Sequence, residues 1–320
     1  MSAVIPLRQG QREHLRLVKA PAKPRLTLTG VPEGEARDAL QALLKACGFD
    51  ASELTAIGAP HDAGIGSCSL HGTGDVSSPA QSASLLLQPV LGLPGYLPTL
   101  QRGIRTLFLA VADEATPITP ALPLLRALSP AEPVIAVLGT PAPAALDVLE
   151  PSDIEWYSPT SGAFALLQQR RKPAIVVGSK PQVELLAAAA HAVSGTGPMA
   201  ASIGFEGNTW TTTTDNQVLG SDAPPTPAAI IMNLVLGLLA IRADEAATRL
   251  HNALLLAIEG GFHPEALPLA QPYTRALDDA AFYALVERVL GEVPRRLEAV
   301  DYRGETTGGV RSQADLTLVP

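Results

Sequence analysis

Residues 172–204, KPAIVVGSKPQVELLAAAAHAVSGTGPMAASIG, decide the fold. The short apolar run from Ala174 to Val177 is typical of a buried strand. The Ala-rich stretch from Gln182 to Val193 has the length and composition of a helix, and Gly195-Thr196-Gly197-Pro198 supplies a helix stop followed by a turn. A strand that leads directly into a helix predicts one unit of an α/β fold with a substantially parallel sheet.

The same alternation of strands and helices is found on both sides of this stretch. Arg25 to Thr29 alternates like a strand, and apolar runs at Thr106 to Val111 and Val134 to Leu138 predict buried strands. Apolar residues recur at helical spacing in six further segments: Ala36 to Cys47, Ala142 to Leu149, Gly162 to Gln169, Pro227 to Ile241, Glu245 to Glu259 and Ala280 to Leu290. We therefore expect an α/β protein throughout.

Composition limits the classes of function. Of the 320 residues, 47% are hydrophobic, so a sizeable core can be buried. The net charge of −8 argues against a large nucleic-acid-binding face. Two cysteines alone form neither a disulfide scaffold nor a zinc site. The longest apolar stretch, Ile230 to Ile241, is too short to span a bilayer, and the first residues lack a signal peptide's apolar region. These features predict a soluble cytoplasmic protein.

The first 24 residues form a basic arm. A single acid, Glu13, stands among five basic residues, Arg8, Arg12, Arg16, Lys19 and Lys23, and Arg25 follows the arm directly. Their spacing allows one helix face that touches an anionic partner. The alternatives are a solvated arm, or a first strand from His14 to Val18 laid along the body of the protein.

Residues 60–74 collect flexible and hydrogen-bonding groups. Glycine lets the backbone approach a ligand, and imidazole and hydroxyl groups donate hydrogen bonds. The candidate cleft residues are His61, Asp62, Ser67, His71 and Thr73. The alternative is an ordinary surface loop. The acidic pair Asp113-Glu114 either joins His61, Asp62 and His71 in a new catalytic set in the cleft, or lies at a loop or helix start, where its negative charge is favoured by the helix dipole.

The stretch 172–204 resembles the corresponding region of isocitrate and isopropylmalate dehydrogenases. Weaker likenesses follow in the family's order over roughly residues 26–262: Leu28 to Glu35, Leu85 to Pro98, Pro227 to Leu239 and Ala257 to Phe262. The resemblance implies a two-domain α/β fold with a mixed, largely parallel sheet and helices on both faces. It also implies a basic arm at 1–24, a first domain at 25–103 plus 216–295, an inserted central dimerisation domain at 104–215 and a C-terminal arm at 296–320.

The functional residues of the resembled family do not carry over. Its two metal-binding aspartates would fall near Gln182 and Leu186, which are not ligands for a hard cation. Its catalytic lysine would fall at Gly139 or Thr140, and its third aspartate near Thr160. The remaining family positions also lack the required side chains: the substrate arginines near Gln88, Pro98 and Ala110, the tyrosine near Thr116 and Pro117, and the adenosine loop at Leu219 to Pro227.

The chain is thus expected to be a divergent dehydrogenase-like protein without metal- and NAD-dependent oxidative decarboxylation. It would act as a non-catalytic subunit, a scaffold or a small-molecule binder, with no cofactor. Two alternatives stay open: an enzyme with a new site in the cleft, and an active dehydrogenase of 2-hydroxy acids that uses NAD(P) and Mg²⁺. The expected partner is a second copy or a related dehydrogenase chain, bound through Leu185 to His191. We expect neither nucleic acid nor membrane as a partner.

Overall fold

A computed structural model describes residues 25–29, 34–48, 67–71, 83–90, 106–129, 132–139, 146–158, 160–161, 175–194, 196–206, 209–214, 226–265, 274–297 and 299–302. The strands are β1 (Arg25–Thr29), β2 (Ser67–His71), β3 (Leu85–Val90), β4 (Thr106–Val111), β5 (Val134–Leu138), β6 (Asp153–Tyr157), β7 (Ile175–Ser179), β8 (Ala201–Glu206), β9 (Thr209–Thr214), β10 (Phe262–Pro264) and β11 (Arg275–Leu277). The α-helices are α1 (Glu35–Ala46), α2 (Leu122–Leu128), α3 (Lys180–Ser194), α4 (Pro227–Ala240), α5 (Asp244–Glu259) and α6 (Asp279–Arg288). Short 3-10 turns lie at Thr119–Ala121, Leu146–Leu149 and Gly197–Met199.

Nine of these strands form one mixed sheet in the order β1-β2-β9-β8-β3-β4-β7-β5-β6. The strands β1, β2 and β9 are mutually parallel, as are β4, β7, β5 and β6. Three antiparallel pairings, β9–β8, β8–β3 and β3–β4, connect the two parallel groups. Because three reversals separate them, the two groups run in opposite directions. The predicted α/β class with a mixed, largely parallel sheet is confirmed.

Each face of the sheet packs against helices. The strand β4 is buried along its whole length, as its unbroken apolar run predicted. Leu107 and Leu109 join the larger apolar cluster with α4 and α5, while Phe108 and Ala110 join a smaller cluster with α3. Alternate residues of one strand thus serve two cores, and the predicted placement of helices on both faces is confirmed.

The helix α4 lies inside the larger core. Every residue from Pro227 to Leu239 is buried, so this helix is apolar on all sides instead of amphipathic. Thr226 caps its N-terminus, because the Thr226 side chain accepts a hydrogen bond from the Ala229 amide at 3.1 Å. In the part of the chain that the structure describes, no helix combines the length and apolar character needed to cross a membrane.

Two segments differ from the sequence-based expectations. The predicted helix from Ala142 to Leu149 is, in its described part, only the 3-10 turn Leu146–Leu149. The threonine-rich run Thr209–Thr214 was not among the predicted strands, but it forms β9 inside the sheet, between β2 and β8. Threonine is β-branched, and this property favours a strand. Strands of both proposed domains therefore share one sheet, and the division into domains stays a prediction.

The chain after α6 runs back along α5. The Glu259 carboxylate accepts hydrogen bonds from the backbone amides of Arg295, Arg296 and Leu297, the shortest at 2.7 Å. Further along the segment, the Tyr302 amide donates to Thr248 Oγ1 at 3.0 Å. We call residues 295–297 and 299–302 the strap. It covers the start of the expected C-terminal arm, of which residues 303–320 lie outside the described part.

Candidate functional site

The carboxyl ends of β4, β7 and β5 lie at the same edge of the sheet, because these strands are parallel and in register. Val111 pairs with Ser179, and Leu138 pairs with Gly178. In α/β proteins the crevice outside the carboxyl ends of parallel strands is the usual place for a ligand. We call this edge the β4–β7–β5 edge, and it is the candidate functional site.

A closed turn follows β4 at this edge. The Thr116 hydroxyl accepts a hydrogen bond from the Asp113 amide and donates one to Asp113 Oδ1, both at 3.0 Å. Thr116 is buried, whereas Asp113 and Glu114 are exposed. Asp113 and Glu114 thus lie in the turn at the β4–β7–β5 edge and are exposed to solvent. The 3-10 turn Thr119–Ala121 follows them along the chain.

The helix α3 leaves the same edge immediately after β7. Gly178 allows this tight passage: a Cβ there would lie 3.2 Å from Leu138 Cβ and 3.4 Å from Val183 Cγ2. The first turn of α3 contains Gln182, the position of the first metal aspartate in the resembled family. Gln182 is partly buried, and its Oε1 atom accepts no hydrogen bond from a described residue. The side chain at this position is therefore a neutral amide and not a negatively charged carboxylate.

Leu186 stands one turn further along α3, at the second metal position. It is 8% exposed and belongs to the smaller apolar cluster. The same cluster contains Val183 and Ala187 from α3 and Phe108 and Ala110 from β4. An aliphatic side chain has no ligand atom, and the surrounding apolar side chains supply none. Leu186 is part of the smaller apolar core and not of a metal site.

Two positions expected for substrate-binding arginines also lie in the sheet. Gln88 of β3 is 2% exposed and pairs with Phe108 in the antiparallel register. Because side chains alternate along a strand, Gln88 shares its face with Leu86 and Val90, towards α3. Ala110 is equally buried in β4. Neither position presents a cation to the candidate site, and Pro98 lies outside the described residues.

His191, near the end of α3, is a buried histidine that packs inside the protein. Its Nδ1 atom and Thr196 Oγ1 share a hydrogen bond of 2.9 Å, and the Thr196 amide donates to the His191 carbonyl. Burial lowers the pKa of His191 to about 4, although the contact with Thr196 partly opposes the shift. The imidazole is therefore neutral at pH 7 and holds the turn that leads into β8.

The candidate cleft residues of the sequence analysis are placed only in part. His61, Asp62 and Thr73 lie outside the described residues. Ser67 and His71 were expected in a loop, but they begin and end β2, which corrects that expectation. The segment Ser67–His71 contains no Val, Ile, Thr, Phe, Tyr or Trp, the residues that favour strands, so its β-propensity did not predict a strand. Pairing with β1 and β9 on both sides determines the conformation instead.

His71, the last residue of β2, and the start of α3 lie at opposite edges of the sheet. In the parallel register, His71 pairs with Thr29 of β1 and Thr213 of β9, at the carboxyl ends of these three strands. The group β1, β2 and β9 runs opposite to the group β4, β7 and β5, and the strands β8 and β3 separate the two groups. The described residues therefore bring Asp113, Gln182 and Ser179 to one edge and His71 to the other. The proximity of His71 to a ligand stays a prediction.

A metal site needs several suitable ligands close together. Among the residues that the structure describes, no three His, Cys, Asp or Glu side chains are grouped so that they could hold a metal ion. Cys47, at the end of α1, is buried, and its burial raises the pKa of the thiol to about 11 despite the opposing charge of Arg249. The thiol is protonated at neutral pH and is a poor ligand and nucleophile.

The mixed nine-stranded sheet with helices on both faces defines an α/β fold. The chain is similar to isocitrate dehydrogenase from Methylococcus capsulatus, with a TM-score of 0.54 and 13% identity over 83% of this chain and 99% of that chain. It is also similar to TT0538 protein from Thermus thermophilus, with a TM-score of 0.60 and 12% identity over 87% of this chain and 71% of that chain. No model of a protein family and no curated protein sequence matches the chain. At such low identity the likeness shows the fold alone, and the activity must be argued from the residues.

Proposed function

We propose that this chain keeps the isocitrate dehydrogenase fold as a non-catalytic subunit, scaffold or small-molecule binder, without metal- and NAD-dependent oxidative decarboxylation. The observation that carries the proposal is the position of Leu186 inside the apolar cluster between α3 and the sheet. A divalent cation that polarises the oxygens of a 2-hydroxy acid needs carboxylates, and this position supports packing instead.

The neighbouring positions support the same proposal. Gln182 offers one neutral amide oxygen, which does not compensate the cost of dehydrating Mg²⁺. Gln88 and Ala110 are buried and uncharged, so no cation is held there for a substrate carboxylate. Loss of one member of a catalytic set lowers the rate by orders of magnitude, and here several are absent together.

Calorimetry with Mg²⁺ and Mn²⁺ tests the proposal directly. We expect no stoichiometric binding to the full chain. Thermal denaturation with millimolar NAD or NADP should show no shift, because a ligand that binds the folded state stabilises it by RT ln(1 + [L]/Kd). Stoichiometric metal binding, or a saturable shift with either nucleotide, would contradict the proposal and favour an active dehydrogenase.

A variant that restores both carboxylates sharpens the test. The double change Gln182→Asp and Leu186→Asp should destabilise the fold by about 3 kcal/mol or more, because an unpaired charge enters an apolar cluster. We expect Mg²⁺ not to recover this loss. The control is Ala284→Asp, which adds a carboxylate on the exposed side of α6 and should change stability by no more than ~0.5 kcal/mol.

A second proposal concerns a new ligand site at the β4–β7–β5 edge. Asp113 and Glu114 are exposed there, at the same edge as the first turn of α3, and they would recognise a cationic or hydroxyl-bearing small molecule. The test is a thermal-shift screen of small polar metabolites. A hit that binds the wild type but not Glu114→Gln supports the site, whereas equal binding to the variant places the ligand elsewhere.

The partner is proposed to be a second copy or a related dehydrogenase chain, bound along the outer side of α3. The structure divides Leu185 to His191 between two sides of that helix. Leu186, Ala187 and His191 pack against the protein itself, whereas Leu185 is 71% exposed and Ala189 is exposed one turn later. An exposed apolar side chain followed by small residues allows close approach of another helix.

A further inference from the structure

The strap lies along α5 with the alternating burial of an extended segment. Val300 and Tyr302 are buried, whereas Ala299 and Asp301 are exposed. The strap pairs with no strand among the described residues. Side chains of α5 supply hydrogen-bond partners for its backbone instead.

Two neutral side chains of α5 bind the second half of the strap. Thr248 Oγ1 accepts a hydrogen bond from the Tyr302 amide at 3.0 Å. Asn252 accepts from the Val300 amide and donates to the Val300 carbonyl, both at 2.9 Å. Four residues of helix advance ~6 Å, and two residues of an extended chain advance ~6.6 Å. The spacing of the two helix side chains therefore matches the spacing of the two strap residues, which run in the opposite direction.

A charged side chain binds the first half of the strap. The Glu259 carboxylate accepts from the amides of residues 295–297 at 2.9, 2.7 and 2.9 Å, and the charge of Arg296 favours its ionised form. Glu259 follows Asn252 by seven residues of helix, or ~10.5 Å, and the last of the three amides precedes Val300 by three extended residues, or ~10 Å. The register that Asn252 sets thus continues to the end of the helix. We call the side of α5 that carries these three side chains, with the core beside it, the α5 groove.

Side chains of the strap anchor it in the α5 groove. Val300 and Tyr302 are 4% and 3% exposed and belong to the larger apolar cluster. The Tyr302 hydroxyl shares a hydrogen bond with Nδ1 of His251, and the two rings are stacked. Peptide-recognition sites work in the same way: bonds to the backbone of an extended segment give affinity, and pockets for alternate side chains give specificity. The α5 groove therefore has the two properties of a peptide-binding site.

An exposed turn connects α6 to the strap. Gly291 has a φ of +99°, a value that favours glycine, and Glu292 and Val293 are exposed. Because the strap belongs to no strand pair of the described sheet, its release breaks no strand pairing. Opening of the strap is therefore a local event that leaves α5 and the sheet folded.

We propose that the α5 groove is a peptide-binding site whose ligand is the strap, and that an open groove binds the strap of a second copy of this chain. The second copy supplies the same backbone spacing and the same anchors, Val300 and Tyr302. Reciprocal exchange closes a dimer. The proposal does not rest on the proposed function, because none of these residues belongs to the β4–β7–β5 edge.

A labelled peptide tests the groove. The probe is a fluorescein-labelled peptide with the sequence of residues 294–302, and its binding to the full chain is followed by fluorescence polarisation. The double change Val300→Ala and Tyr302→Ala removes both anchors from the chain's own strap and opens the groove. We expect this anchor variant to bind the peptide at least about tenfold more tightly than the wild type, whose groove is filled, since the apparent affinity follows the fraction of open chains.

A change in the groove should have the opposite effect. Adding Thr248→Val to the anchor variant removes the acceptor for one peptide amide, and we expect about tenfold weaker peptide binding. The matched control is Thr119→Val, which makes the same chemical change at an exposed threonine before α2 and should leave binding unchanged. A peptide with alanine in place of both anchors should show no saturable binding.

Sedimentation of a mixture tests exchange between two copies. The anchor variant has an open groove, and Asn252→Ala has a weakened groove with an intact strap sequence. We expect the equimolar mixture to contain a complex that neither variant forms alone, because the strap of the second variant fits the groove of the first. Absence of that complex would overturn the exchange.

Hydrogen exchange of the unmodified chain gives a measurement that does not depend on the folding of any variant. The amides of Arg296, Val300 and Tyr302 should exchange at least about tenfold faster than the amides in the middle of α5, because the strap opens while the helix stays folded. Equal rates would show that the strap opens only when the whole fold unfolds. The proposal is also wrong if the anchor variant keeps its circular dichroism spectrum and binds the peptide no better than the wild type, or if Thr248→Val has no effect on that binding.

Discussion

Asn252 and Val300 are joined by two hydrogen bonds. The Asn252 side-chain amide donates to the Val300 carbonyl, and the Val300 amide donates to Asn252 Oδ1, both at 2.9 Å. Both residues are buried, with 4% of each exposed. One side chain of α5 thus satisfies both backbone polar groups of a strap residue that has no strand partner among the described residues.

Replacement of this asparagine should weaken the whole fold. In Asn252→Ala the Val300 amide and carbonyl lose their partners inside the core, and we expect the free energy of unfolding to fall by about 2–4 kcal/mol. Urea denaturation measures the change, and limited proteolysis should cut the strap earlier than in the wild type. A variant as stable as the wild type would show that the strap contributes nothing to the core.

The opposite result is expected at Tyr283 on α6. This residue is completely buried, and its hydroxyl has no hydrogen-bond partner among the described residues. Burial, together with the nearby charge of Asp279, raises the pKa of the phenol, so it stays protonated. Tyr283→Phe removes an unsatisfied polar atom and should leave stability unchanged or increase it by up to ~1 kcal/mol.

Tyr302 provides the matched control for that change. Its hydroxyl lies 2.5 Å from Nδ1 of the fully buried His251, and the two rings are stacked. Tyr302→Phe removes the same atom from a satisfied pair and should cost about 1–2 kcal/mol. Equal changes in the thermal stability of Tyr283→Phe and Tyr302→Phe would contradict the inference that only the Tyr302 hydroxyl forms a stabilising hydrogen bond.

The elements that could be predicted from the sequence are those with a strong local pattern. Val134–Leu138 and α5 were anticipated because a buried parallel strand is continuously apolar and a helix on a core is periodic. The helix α2 was not anticipated, because prolines such as Pro120 and Pro123 interrupt a helix in its interior, although proline is favoured in the first turn. The strap was missed because polar side chains of α5 hold its backbone, and no periodic pattern marks such contacts.

The candidate site shows the same limit. The sequence identified Gln182 and Leu186 as positions without metal ligands, since residue type alone decides this point. It did not show that Leu186 belongs to the same apolar cluster as Phe108 of β4, because that cluster gathers residues far apart in the chain. The strand at His71 depends on its neighbours β1 and β9, and residues 67–71 alone contain no signal for it.

The outer side of α3 can be tested by one substitution on its exposed face. Leu185→Arg puts a charge where the proposed partner helix would pack, and we expect at least about tenfold weaker association through this surface. Unchanged sedimentation of Leu185→Arg would contradict a partner on α3, because an arginine at the centre of an apolar contact is not tolerated.

His191 should make the stability of the fold sensitive to mild acid. In the folded protein burial holds its pKa at about 4, below the value of 6.5 for an exposed histidine. Between these two pH values the unfolded chain binds a proton that the folded chain does not, so the free energy of unfolding decreases as the pH falls from 6.5 towards 4. The full loss from this residue is ~3 kcal/mol at most, at 1.36 kcal/mol for each unit of pKa.

Urea denaturation of the wild type and His191→Gln at pH 7.5, 6 and 5 separates this contribution from that of other groups. The variant should be less stable at pH 7.5, because the contact with Thr196 is altered, and its stability should fall less steeply with acid. Parallel pH profiles of the two proteins would show that His191 is not the group that titrates.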